Sequence, residues 1–148
     1  MANHVRTQIR EQIASTLNNL TTTSNRVFQS RVYPLATGGT PALLIYTKSE
    51  DSEPVVIGTN RLISRNLSVA VEIYVKATSN FDDTIDTSAK EVETAIAADP
   101  TLNGLAKDCY LESTEIEFNA EGEQPLAYAT LIFLTNYYVQ AQAPDVAV

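Results

Sequence analysis

The stretch "LAYATLIFLTNYYVQ" at residues 126–140 constrains the fold more than any other part of the chain. Read with a period of two, it places Leu126, Tyr128, Ile132, Leu134 and Tyr138 on one face and Ala127, Ala129, Leu131, Phe133, Tyr137 and Val139 on the other. Neither face is polar, so both need cover, and the strand belongs in a sheet interior. The arm before it, "TEIEFN", alternates Ile116 and Phe118 with Glu115 and Glu117, and "NAEGEQP" makes a hairpin turn in which Gly122 lies between Glu121 and Glu123. Leu111 has the opposite parity to Ile116, which predicts a bulge near Glu112 and Ser113.

The rest of the chain supplies the sheet's neighbours. In "LSVAVEIYVKA", Leu67, Val69, Val71, Ile73, Val75 and Ala77 share one face, while Ser68, Glu72 and Lys76 take the other. Followed backwards, the first face carries Arg65, Ile63 and Arg61, an expected charged overhang where a partner can meet the strand end. Val5, Ile9, Ile13, Leu17 and Leu20 recur at helical spacing, predicting a helix over 3–20 with Arg6 and Arg10 turned to solvent or a neighbour. Phe81, Ile85, Ala89, Val92 and Ile96 predict a second helix, opened by Asp82 and Asp83 and stopped at Asp99-Pro100. "RVFQSRVY" and "PALLIYT" read as strands on either side of a loop holding Gly38 and Gly39. Residues 48–60 read as a long exposed loop or hairpin arm, and 141–148 as a flexible tail after a single domain over 1–140. This order predicts an α+β fold, a single mixed or antiparallel sheet with two main helices packed on one face. Two helices leave the second face to a loop or a neighbouring subunit.

A chain of 148 residues with 44% hydrophobic content can bury one core, and no apolar run reaches the roughly 18 residues that span a bilayer. The expectation is a protein made and kept in a cytoplasm, with no membrane partner. The net charge of −8 argues against general nucleic-acid binding. Its distribution is uneven. Residues 1–65 hold seven basic against four acidic side chains, and residues 66–148 hold three against fourteen. A basic patch on one copy could therefore meet an acidic patch on the next.

No constellation of catalytic residues stands out. His4 is the only histidine and Cys109 the only cysteine, so no nucleophile has an adjacent imidazole in sequence and no disulfide forms within the chain. Asp82, Asp83 and Asp86 lack the spaced glycine and distal glutamate of a calcium loop and suit a helix start. The glycines match neither a phosphate loop nor a dinucleotide fingerprint. No catalytic, cofactor or metal residues are expected. The alternatives from other classes are a small metal-dependent enzyme using the three aspartates, or a monomeric ligand-binding module using the apolar strand or the 48–60 loop.

The phrases "RVYPLA", "PALLIYTKSE", "LSVAVEIYVKA", "DDTIDTSAKEVETAIAADPTLNGLA" and "LESTEIEFNAEGEQPLAYATLIFLTNYYV", in this order after an N-terminal helix, resemble the tail terminator family of long-tailed bacteriophages, the minor tail protein U type and its tail-completion relatives. The resemblance implies a non-enzymatic virion protein, assembled in the host cytoplasm into a hexameric ring at the neck. That ring would cap the head-proximal end of the tail tube, stop tube polymerisation and dock the head connector, with strands helping to line a channel through which DNA passes unbound. A head-closure or head–tail joining protein is the alternative within this class. The residues expected at a subunit contact or along the channel are Arg61, Arg65, Glu115, Glu117, Glu121 and Glu123.

Overall fold

Residues 2–29, 41–76, 80–119 and 126–148 are described by a computed structural model. The hairpin turn with Glu121, Gly122 and Glu123, the loop with Gly38 and Gly39, and Ala77 lie outside these residues.

The apolar stripe of α1 (Val5–Thr16) buries Val5, Ile9 and Ile13 completely, and Leu17 at its C-cap is buried with them. Each of these side chains stabilises the fold by on the order of 2 kcal/mol. His4 is the N-cap, its Nδ1 accepting from the Arg6 backbone N–H at 3.0 Å, the role usually taken by Ser or Asp. In α2 (Phe81–Ala97) the residues buried are Ile85, Ser88, Val92 and Ile96, while Asp82 and Asp83 lie in the first turn. There the helix dipole favours negative charge. The connection after α2 turns through Leu102 and Asn103 at positive φ and Gly104, and it drops the Leu102 side chain into the core.

The strands are β1 (Val27–Phe28), β2 (Ala42–Pro54), β3 (Leu62–Lys76), β4 (Asp108–Asn119), β5 (Leu126–Gln140) and β6 (Ala143–Ala147). They form one mixed sheet of order β1-β2-β3-β5-β4, with β6 added beside β5 and only β1–β2 parallel. Both helices pack on the same face. Leu43 and Ile45 of β2, Leu67 to Val75 in steps of two on β3, and Ala127 to Val139 in steps of two on β5 form this buried side. On the other face the even-numbered residues of β5 are all half-buried. The doubly apolar strand is thus dry on one side and only partly covered on the other.

Three sequence expectations change. First, β3 does not overhang its neighbours, because β2 extends to Pro54↔Ile63 and β5 to Leu62↔Gln140, pairing it on both sides. Residues 48–54 are accordingly strand, the outer half of a hairpin arm, even though 51–60 are exposed. Second, residues 143–147 form β6 where a loose tail was expected. The sequence lacks a pattern there, but β5 outruns β4, which begins at Asp108↔Asn136, and β6 takes the vacated lane. Gln8 Nε2 donates to the Asp145 carbonyl at 2.9 Å and the Val148 N–H to the Tyr138 carbonyl at 2.9 Å. Third, Arg6 turns to Glu50 of its own chain.

Two bulges decide which face the outer residues take. The ladder shifts between Thr47 and Ser49, so Glu50 opposes Leu67 on the helix face; a regular ladder would have set it against Asn66 on the other. A second shift, between Leu111 and Ser113, falls where the parity of Leu111 and Ile116 predicts it. It sends Glu115 and Glu117 to the open face, opposite Thr130 and Tyr128, and Ile116 and Phe118 to the helix face. Phe118 stacks there on Phe81, with ring centroids 5.5 Å apart.

Candidate functional site

Three regions among the described residues bear on function. The first is a closed cluster under the N-terminus of α1. Glu50, its side chain only 8% exposed, binds Arg6 Nη1 at 2.6 Å through Oε2 and Arg65 Nη1 at 3.1 Å through Oε1. Tyr137, fully buried, donates its hydroxyl to Glu50 Oε1 at 2.6 Å. Burial opposes ionisation of Glu50, but the hydrogen bonds from Tyr137, Arg6 and Arg65 outweigh it and hold the carboxyl below its usual range. Burial, then the bond to Glu50, pushes the Tyr137 phenol upward. His4 beside the cluster is held neutral by burial and by the charges of Arg6 and Arg65, its pKa lowered. Two guanidinium groups and a phenol thus converge on one carboxylate inside the subunit, although Arg65 Nε is left without a partner.

The second surface is the open face of the sheet. The ladders align Ala42, Tyr74, Tyr128 and Glu117 in one row and Leu44, Glu72, Thr130 and Glu115 in the next. Tyr128 donates to Glu117 and Tyr46 to Glu72, while Tyr74 stacks on Tyr128 at 5.2 Å. The hydrogen bond to Glu117 raises the Tyr128 phenol, and burial next to Glu72 pushes Tyr74 up to about 12. A further row sets Asp51, Asn66, Asn136 and Asp108 side by side, with Asn136 Nδ2 donating to Asn66 Oδ1 at 2.9 Å. Six open-face carboxylates, Asp51, Glu53, Glu72, Asp108, Glu115 and Glu117, stand against exposed Lys76 at the end of β3. The face is acidic and partly apolar.

The third surface is the hairpin arm. Its tip exposes Val55, Val56 and Ile57, the last 99% exposed, and Gln142 Nε2 braces it by donating to the Thr59 carbonyl at 3.3 Å. Arg61 sits exposed at its base, Nε donating to the Gly58 carbonyl at 3.1 Å.

Of the expected contact residues, Glu115 and Glu117 lie together on the open face of β4. Arg65 is held at Glu50 and Arg61 at the arm, so the two arginines do not form one patch, and Glu121 and Glu123 lie outside the described residues. Glu50 was not legible as a clamped carboxylate. Only the Lys48 bulge turns it inward, and residues 48–54 have no apolar alternation to reveal a register. Asp82 and Asp83 are exposed in the first turn of α2, with Asp86 also exposed one turn on. Among the described residues no three His, Cys, Asp or Glu side chains converge on a point that could hold a metal ion. Cys109 is buried, and burial raises its thiol pKa, so it stays protonated at neutral pH.

No curated protein matches the sequence. Among solved structures, one chain of "Virion of native gene transfer agent (GTA) particle" aligns with 93% of this chain and 96% of its own, at 10% identity and a TM-score of 0.45. The family described as phage minor tail protein U matches residues 4–137, from the helix cap at His4 to the buried Tyr137 of β5. With nearly every element of the fold inside that match, the chain belongs to the phage minor tail protein U family and is a structural protein of the virion tail.

Proposed function

We propose that the protein closes into a hexameric ring at the head-proximal end of the tail tube, where it stops tube polymerisation and gives the head connector its docking surface. The observation that carries this reading is the asymmetry of the sheet. Along β2, β3 and β5 one face is buried under α1 and α2, while the other, where Ala42, Leu44 and Ala70 are buried, keeps Leu126, Ile132, Leu134 and Tyr138 half-buried among carboxylates. A ring built with this second face inward has an acidic wall that repels phosphate, so DNA passes without adhering. The role is structural and needs no catalytic group.

Native mass measurement with negative-stain imaging tests the proposal. The expected result is a ring of about six copies whose addition blocks further growth of tube assembled from purified tube protein. A chain that stays monomeric both alone and with tube ends would overturn it. Binding to the connector without any effect on tube growth would move the protein to head closure instead.

A further inference from the structure

The sheet's two edges carry opposite charge at the same level along the strands. Among the described residues no strand lies outside β1 or outside β4. The ladder residues run Val27↔Leu43, Leu43↔Ile73, Ile73↔Ala129 and Ala129↔Ile116, so Val27 at one edge is level with Ile116 at the other. Arg26, one residue before Val27 and facing the same row as Ala42, is level with Glu117. Glu115 lies about 7 Å further along β4.

The side chains fit this geometry. Arg26 donates to the carbonyls of Pro41 at 2.7 Å and Thr22 at 3.0 Å, and Arg10 to Gln29 Oε1 at 3.1 Å. Both guanidinium groups are therefore bound to neutral acceptors. On β4, Glu112, Glu115 and Glu117 are exposed, and so are Ile116 at 54% and Phe118 at 53%. An apolar strip flanked by carboxylates at one edge thus matches Val27, half-buried, flanked by arginines at the other. Pairing β4 with β4 of another copy would bring acid against acid, which is repulsive. Pairing β4 with the β1 edge brings acid against base, and because the two surfaces differ, the contact repeats from copy to copy and can close.

We infer that, within the ring proposed above, β4 of each copy docks against the β1 edge of the next, with Glu115 and Glu117 meeting Arg26 and Ile116 meeting Val27. This assignment rests on the ring reading and gives it a specific seam. The apolar pair supplies buried area, and the charges set direction and register.

Charge reversal tests the seam. Glu115→Lys with Glu117→Lys in one chain, and Arg26→Glu in another, should each leave monomers by native mass while circular dichroism stays that of the wild type. Mixing the two chains should restore rings, since each reversed edge then meets a reversed partner in alternation. Arg26→Lys, which keeps the charge, checks that Arg26→Glu does not fail through folding and should still assemble. Independently, Val27→Cys with Ile116→Cys should give a ladder of disulfide-linked oligomers on oxidation, the buried native Cys109 contributing none in the control. Rings that still form in both reversed chains, or a cysteine pair that gives no ladder while wild-type rings form, would overturn the seam and leave the ring intact. Absence of wild-type rings would instead overturn the ring reading itself.

Discussion

Two glutamates each accept a hydrogen bond from a tyrosine of β5, yet they do opposite things. Glu50 takes the hydroxyl of Tyr137 on the helix face, and Arg6 and Arg65 close around it. Glu117 takes the hydroxyl of Tyr128 on the open face, with no basic group paired to it among the described residues. Each is set by a bulge: the shift at Lys48 turns Glu50 inward, and the shift at Glu112 turns Glu117 outward. Glu112, Glu115 and Glu117, part of the acidic excess of the second half of the chain, therefore lie exposed, while Glu50 of the first half is enclosed by its own chain. Internal ion pairing and charge left open to solvent separate by strand parity, a difference of one inserted residue.

The largest effect expected follows from breaking the enclosed side. Glu50→Ala strands Arg65, whose Nε already lacks a partner, and should cost about 3 kcal/mol in urea unfolding. Glu117→Ala should change stability by less than about 0.5 kcal/mol and act on assembly alone. Equal losses from the two would erase the distinction. Next in size, Tyr137→Phe should cost about 1–2 kcal/mol by leaving Glu50 short of a buried donor, while Tyr128→Phe should be close to neutral in the same measurement.

Acid sharpens the contrast further. The folded pKa of Glu50 is depressed, so its contribution is complete above the ordinary carboxyl value of 4.5 and is lost as pH falls through the lower folded value. Thermal midpoints of wild type should fall over that window by more than those of Glu50→Gln, which has no proton to gain. The smallest effect belongs to the arm tip. Ile57→Ser removes a side chain that is almost wholly exposed, and should change the unfolding free energy by less than about 0.5 kcal/mol.

Much of this was legible from residue order because it depends on periodicity. The stripe of Val5, Ile9 and Ile13, the alternation of Leu67 to Val75 and the parity break at Leu111 each have one physical solution. The carboxylates of β4 could also be singled out, since Ile116 and Phe118 fix their phase. What escaped was everything set by how far one strand outruns another. Arg65 looked like the end of an overhang because the reach of β2 and β5 cannot be read from β3. β6 has no pattern of its own and exists because β4 stops short beside β5. Arg26 acquires meaning only when four ladders are followed across the sheet.

The position of β5 has one more consequence. It joins β3, β4 and β6, yet it follows β3 and β4 in the chain. During synthesis β3 has β2 for company, but β4 emerges with no strand to pair, and its apolar Ile116 and Phe118 wait in water. The sheet cannot be completed in the order in which it is made. A chain interrupted before Leu126 would carry two unsatisfied ladder edges and should aggregate instead of settling into a smaller domain. Folding is therefore gated by the arrival of a single late strand, and only a chain that has received it has an ordered β4 edge.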